Sequence, residues 1–556
     1  MKIAAALANA AWAGPAMRAR GRFRAALDEP AAVQQALLAS CLRSNQDTEI
    51  GRRFDFARIL SAGSPPEIIE TYQHAVPTCT YDDLELLILR TARGESGVLT
   101  AERVRRLAPS SGSSSAAKLL PQTATSQREF SRAVDAWMGD LYMRWPALIG
   151  GQAYWSITPA VSFERIAAAR LGASDAGARI PIGFDDDGAY LGGVRQRLVD
   201  AILAVPNVVR LIADPETFRY VTLVFLLRAR DLRLMSVWHP SFLLQLLDSL
   251  PDWYERIVND ICRGTITPPG QIPDDVLEGL RSLMPPKPRI AAALSRLDDV
   301  SPARIWPRLA LVSCWGDGPA QPYARRLQDR FPDVAVEPKG LIATEGIVSI
   351  PFAGKYPVAV TSHFFEFIDA AGRARLVHQL ETDEDYDVVL TTGGGLYRYK
   401  LGDRVRVTGR IGAVPSIEFA GRSDRVSDRF GEKLSDEFVT SVVAKLFASA
   451  APPRFVMLTP ETRADGVAYT LLVEPSNDLP GDLEPALETA LRQNPHYAWC
   501  VDLGQLRPAR VVRVGPHAER AYLDVCVARG QRLGDIKPTA LQRDGGWEAA
   551  LGGSPT

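Results

Sequence analysis

Near residue 307 the sequence changes texture, and this limits the fold more than any other feature of the chain. Before that point apolar residues recur mostly at helical spacing, in "PAAVQQALLASCLRSN", "YDDLELLILRTARGE", "REFSRAVDAWMGDLYMRW" and "FLLQLLDSLPDWYERIVNDI". After it come compact apolar runs broken by turns. "RLALVSCW" leads through "GDGP" into a helix, "YARRLQDRF", and then a short strand, "VAVEPKG". "YPVAVTSHFFEFIDA" reads as two more strands, and "YDVVLTTGGGLYRYKLGDRVRVTG" as strand, turn, strand. Strands alternating with helices predict an α/β core carrying long helical insertions. From about residue 425 the pattern becomes that of a small α+β unit. It comprises a helix "SDEFVTSVVAKLFAS", a hairpin turning at Asp465-Gly466, a helix "LEPALETALRQN" and a strand "ARVVRV". The expected division is a large N-terminal domain over 1–424 and a small C-terminal domain over 425–556.

With 556 residues, 46% hydrophobic and 23% charged, the chain can bury a large core and has room for two or three domains. The net charge of −1, without a basic stripe, argues against nucleic acid or an anionic membrane as partner. Six cysteines without CxxC spacing argue against a zinc site or a disulfide scaffold and fit a reducing cytoplasm, and six dispersed histidines form no HExxH pair. The start, "MKIAAALANAAWAGPA", loosely imitates a signal peptide. Its apolar run is short and alanine-rich, and "MRARGRFRAAL" follows at once, so a surface helix is expected. No apolar run reaches the length of a membrane span, and "YVTLVFLLRARDL" reads as a core helix.

The segment most suggestive of chemistry is "SSGSSSAAK", residues 110–118. A linker would continue in polar sequence, but this stretch lies between apolar "VRRLAP" and "LLPQT", as a loop between packed elements does. Serine hydroxyls and backbone N–H groups near Gly112 can wrap phosphate oxygens, and Lys118 adds a full positive charge. It is neither a Walker loop nor a GxGxxG fingerprint.

Four further segments follow in order: "LIATEG" (341–346), "TTGGGLYRYKLGDRVRV" (391–407), "FAGRSDRVSDRFGEKLSDE" (419–437) and "GQRLGDIKP" (530–538). With "SSGSSSAAKLLPQT" they resemble the motifs of adenylate-forming enzymes. More narrowly they resemble the acyl acid amido synthetases of the auxin-responsive Gretchen Hagen family, including its bacterial members. "TEIGRRFDFARI", "GGQAYWS" and "SVWHPSFLLQLL" extend the resemblance over nearly the whole chain.

The resemblance implies the adenylate-forming fold, with a mobile small domain, and a two-step reaction. A carboxylic acid attacks the α-phosphate of Mg·ATP to give an acyl-adenylate and pyrophosphate. An amine, typically of an amino acid, then displaces AMP. The family pattern assigns Ser110, Ser111, Gly112, Ser113 and Ser114 to the nucleotide phosphates, with Lys118 as a catalytic cation. It assigns Thr344 to the α-phosphate and Glu345 to Mg²⁺, a hard cation that prefers oxygen ligands. Asp403 is implied as the ribose acceptor, since one carboxylate can take both hydroxyls. Arg422 lies on the ribose and phosphate side, Lys433 at a phosphate, and Asp424 at the hinge. Lys537 is the lysine brought to the α-phosphate when the small domain closes. Ser115 and Ala117 depart from the glycine and proline usual in such loops. Leu341 and Ile342 replace a tyrosine and a small residue, so an apolar adenine contact is expected.

Plainer readings accompany these. Asp403 and Arg422 also suit a strand-end salt bridge, and Lys537 a solvated lysine. "HFFEF" (363–367) reads as core strand, His239 as structural, and Trp155 and Trp238 as either acyl-pocket lining or core. The expected protein is a cytoplasmic, monomeric carbon–nitrogen ligase using ATP and Mg²⁺, with a carboxylic acid and an amine as substrates. An acyl-CoA ligase and a non-catalytic nucleotide- or acid-binding protein are the rivals.

Overall fold

The computed structural model describes the chain except residues 1–2, 110–117, 157–179, 181–192, 423–425, 428, 449–450, 477–478, 480, 530, 532–535, 553 and 556. The chain forms two compact units. The larger holds 1–317, 321–401 and 405–418; the smaller holds 419–556 together with 318–320 and 402–404.

In the larger unit β1 (Arg106–Pro109) and β2 (Leu119–Gln122) pair as an antiparallel hairpin. A parallel sheet follows, in the order β3 (Gln152–Trp155), β4 (Leu232–Ser236), β5 (Leu311–Cys314) and β6 (Ala335–Pro338). β5 is buried along its whole length, as a central strand covered on both faces must be. The expected core helix is the helix Pro215–Arg228, buried at every residue from Thr217 on.

A second sheet contains β7 (Phe364–Ile368), β8 (Ala374–Leu376), β9 (Asp385–Thr391), β10 (Tyr399–Ile411) and β11 (Val414–Arg422), in the order β11-β10-β9-β7-β8. Only one of the two strands expected in "YPVAVTSHFFEFIDA" forms. Pro357 and Val358 make isolated bridges to Ser416 and Ser349 instead. Pro357 has no N–H to give a ladder, so pairing stops there.

The N-terminal residues form the helix Ile3–Ala26, with a face buried through Ala5, Ala8, Trp12, Ala16 and Phe23. The surface helix expected from the sequence therefore has an inner side, seated on the helix Ala124–Arg144. Trp12 Nε1 donates to Asp135 Oδ1 at 3.0 Å, and Tyr142 Oη donates to Asn9 at 2.9 Å. Gly139 makes the approach possible, because a Cβ there would lie 2.3 Å from the Ala16 carbonyl oxygen. Among the described residues no helix is long and apolar enough to cross a membrane.

The smaller unit holds a short ribbon, β12 (Val426–Ser427) and β13 (Leu434–Ser435). Its main sheet is β14 (Phe455–Arg463), β15 (Gly466–Glu474), β16 (Arg507–Arg513) and β17 (Ser554–Pro555), in that order. β14 and β15 form the expected hairpin, closing at Arg463 opposite Gly466. The helices Asp436–Leu446 and Leu483–Leu491 cover it through a core that includes Val439, Leu458, Leu471, Leu487 and Leu491.

Candidate active site

Strand register begins the site. Phe364 pairs with Thr391 at the end of the antiparallel β7–β9 ladder, so His363 and Thr392 leave adjacent strands side by side. β2 supplies Leu120, Pro121 and Gln122 from another direction. Thr123 then caps the helix Ala124–Arg144, its Oγ1 accepting from the Ser126 N–H at 3.1 Å. The same hydroxyl donates to the Gly393 carbonyl at 3.2 Å, which ties the helix start to the glycine run. Ser126 and Phe130 are four residues apart and so share a helix face. "ATEG" supplies the remaining wall as a tight turn: Ala343 and Gly346 exchange backbone hydrogen bonds at 3.0 and 3.2 Å, leaving Thr344 and Glu345 at the tip. Leu120, Pro121 and Gln122, Ser126 and Phe130, Thr344, Glu345 and Gly346, His363 and Thr392 line one opening.

Beside the opening lies a buried carboxylate. Glu129 takes the Gly393 N–H on its two oxygens at 3.1 and 3.0 Å, and its Oε2 lies 3.2 Å from His363 Nδ1. Its charge, second to burial, helps hold the neighbouring Cys41 thiol above its ordinary range. Burial pushes the Arg132 guanidinium down, and Glu129 opposes that. The His363 side chain is only 2% exposed, and its Nε2 has no hydrogen-bond partner among the described residues. The ring lies where residue 346 would carry a side chain, since a Cβ there would stand 2.7 Å from Nε2. Only glycine fits beside it.

The residues singled out from sequence fall in several places. Ser110, Ser111, Gly112, Ser113 and Ser114, and the hinge candidate Asp424, lie outside the described residues. Lys118 is half-buried at the mouth of β2, its Nζ 5.8 Å from the centre of the Tyr81 ring, within cation–π range. Tyr81 Oη also accepts the N–H of Leu119 at 3.0 Å. Thr344 and Glu345 share the opening. Leu341 is buried, its N–H held by Ser349 Oγ at 2.9 Å.

In the smaller unit Asp403 and Arg422 form an ion pair at 3.0 Å, with the aspartate side chain 7% and the arginine 27% exposed. Lys433 is exposed, in left-handed backbone conformation with φ 46°, and its carbonyl accepts from Asn494 Nδ2 at 3.2 Å. Lys537 is half-buried, four residues before Leu541 bridges to Leu458 of β14.

Sequence reading passed over the groups that hold these segments in shape. Glu432, fully buried, accepts the N–H groups of Arg429 and Phe430 and the Tyr469 hydroxyl, fixing the "GEK" turn. Arg398 of "YRYK" pairs with Glu366 at 3.0 Å and donates to the carbonyls of Gln73 and Val76. His239 is structural as expected, accepting the Ser241 N–H at the start of the helix Pro240–Arg263. Trp155 packs on Trp12, while Trp238 lies 4.9 Å from Lys339 Nζ.

The model of the GH3 family N-terminal domain matches residues 19–336, and that of the GH3 family central domain matches 356–422. The chain belongs to the GH3 family. This GH3 chain is 24% identical to the indole-3-acetic acid-amido synthetase GH3.17 of Arabidopsis thaliana, over 93% of this chain and 91% of that one. It is also 24% identical to the indole-3-acetic acid-amido synthetase GH3.8 of Oryza sativa subsp. indica, over 91% and 87%. Its fold matches the solved structure of the AtGH3.15 acyl acid amido synthetase in complex with 2,4-DB. The TM-score is 0.80 at 18% identity, covering 96% of each chain. A looser match is 2-hydroxyisobutyryl-CoA ligase in the postadenylation state, with a TM-score of 0.50 at 13% identity, over 94% of this chain and 90% of that one. The mixed α/β large domain with a smaller α+β C-terminal domain is thus the fold that these synthetase and ligase structures share.

Proposed function

We propose that this GH3 chain is an ATP-dependent acyl acid amido synthetase. It joins a carboxylic acid to ATP, releasing pyrophosphate, and passes the acyl group to an amine, releasing AMP. The observation that carries this reading is the opening in which Thr344 and Glu345 face the strand leaving the serine-rich segment. Family membership and the amido synthetases it resembles support the choice of amide over thioester.

In this reading Ser110 to Ser114 and Lys118 receive the phosphates, and Thr344 donates to the α-phosphate. Among the described residues no cluster of three or more His, Cys, Asp or Glu could cage a metal ion. A single carboxylate beside a hydroxyl fits Mg²⁺ that takes most of its oxygens from ATP, and Glu345 would hold it. When bound, Mg²⁺ neutralises phosphate charge that would otherwise repel the attacking carboxylate. Asp403, its carboxylate oriented by Arg422, accepts the ribose hydroxyls. Lys433 contacts a phosphate, Asp424 serves as hinge, and Lys537 reaches the α-phosphate on closure of the small domain, excluding water from the adenylate. A cytoplasmic location accords with six unpaired cysteines.

The test is product identity. Purified protein, Mg·ATP and a panel of carboxylic acids should yield acid-dependent AMP and pyrophosphate, abolished by EDTA and by Lys118→Ala. Amines and CoA are then compared as acceptors. ADP as product, or no turnover across the panel, would overturn the reading; a thioester but no amide would make the chain an acyl-CoA ligase.

A further inference from the structure

We propose that His363, oriented by Glu129, takes the proton from the attacking amine in the amide-forming half-reaction; this rests on the synthetase reading above. The argument begins with hydrogen-bond capacity. An ionised carboxylate only accepts, so Glu129, already receiving the Gly393 N–H, requires the hydrogen of His363 to sit on Nδ1. In the neutral ring this leaves the lone pair on Nε2. That atom is buried and has no partner among the described residues, which disfavours the fold unless a ligand supplies the missing one. It belongs to a residue lining the opening that holds Thr344 and Glu345. A carboxylate, an imidazole held by it and a second ring nitrogen with no partner among the described residues, on a residue that lines the opening, form the arrangement of an oriented general base.

The second half-reaction needs such a base. An amine attacks only through its lone pair, and it gains positive charge as the bond to the acyl carbon forms. As the C–N bond forms, the bond from the acyl carbon to the phosphate oxygen breaks and its electron pair leaves with AMP. The N–H proton passes to His363 Nε2, and the resulting imidazolium is stabilised by Glu129 until the proton is lost to solvent. The adenylating half-reaction transfers no proton from an amine, so it makes no such demand on His363.

This separation supplies the test, using the acid and amine identified by the product assay. Acid-dependent exchange of pyrophosphate into ATP reports the first half-reaction, and single-turnover decay of preformed acyl-adenylate with the amine reports the second. His363→Gln and His363→Ala should keep exchange within about twofold and slow amide formation by roughly a hundredfold or more. Added imidazole should restore part of the rate in His363→Ala, which a merely bracing role of the ring would not allow. Equal loss in both half-reactions would overturn the proposal in favour of a structural or adenylation role. So would an unchanged amide rate. No exchange in the unmodified protein would instead sink the synthetase reading, and the proposal with it.

Discussion

The Glu129–His363 pair and the Asp403–Arg422 pair each place a carboxylate beside a cationic or potentially cationic group, in opposite surroundings. Glu129 is buried, and its oxygens are committed to the Gly393 N–H and to an imidazole that is also buried. Asp403 is buried too, but its partner guanidinium is 27% exposed and shares its charge with solvent. A carboxylate held by backbone N–H groups is part of the fold, because removing it strands donors that water cannot reach. A carboxylate whose partner guanidinium is part-exposed can trade that contact for a ligand more readily. The first pair suits work that needs fixed orientation, the second work that needs exchange.

Three substitutions would break or sharpen this contrast. Glu129→Leu should be the most damaging, lowering unfolding free energy in urea by about 3 kcal/mol because it orphans the Gly393 N–H and His363 Nδ1. A loss under about 1 kcal/mol would mean water reaches the pair and the contrast fails. Gly346→Ala should cost about 1–3 kcal/mol, since its methyl group would meet the His363 ring at 2.7 Å. Combining it with His363→Ala should recover most of that loss, and simple additivity of the two changes would show that the crowding lies elsewhere. Asp403→Asn should change stability by less than about 1 kcal/mol while raising the KM for ATP roughly tenfold. A large stability loss with unchanged KM would make this pair structural and reverse the comparison.

The legibility of these regions in the sequence differed for the same reason. The motifs assigned to the nucleotide are contiguous, so each can be read within a few residues, as "ATEG" can by closing its own turn. Glu129 and His363 are 234 residues apart, and nothing local marks either one. The reading of "HFFEF" as core strand holds for Phe364, Phe365 and Phe367, all buried in β7. It hid the histidine at the strand's edge, where a core pattern gives way to a site. The parallel strands β3, β5 and β6 are four residues long, too short for a period of two to stand out from one of 3.6. The N-terminal helix was legible as a helix, but its alanines gave no sign of an inner face. Only Gly139 on the facing helix made room for one.

The smaller unit is assembled from three stretches of chain, 318–320, 402–404 and 419–556. During synthesis the ribosome releases residues 318–320 first, 402–404 next and 419–556 after both. The unit can therefore complete itself only after residues 419–556 have joined the two earlier stretches, and a fragment beginning at 419 would hold the arginine of the pair without its aspartate.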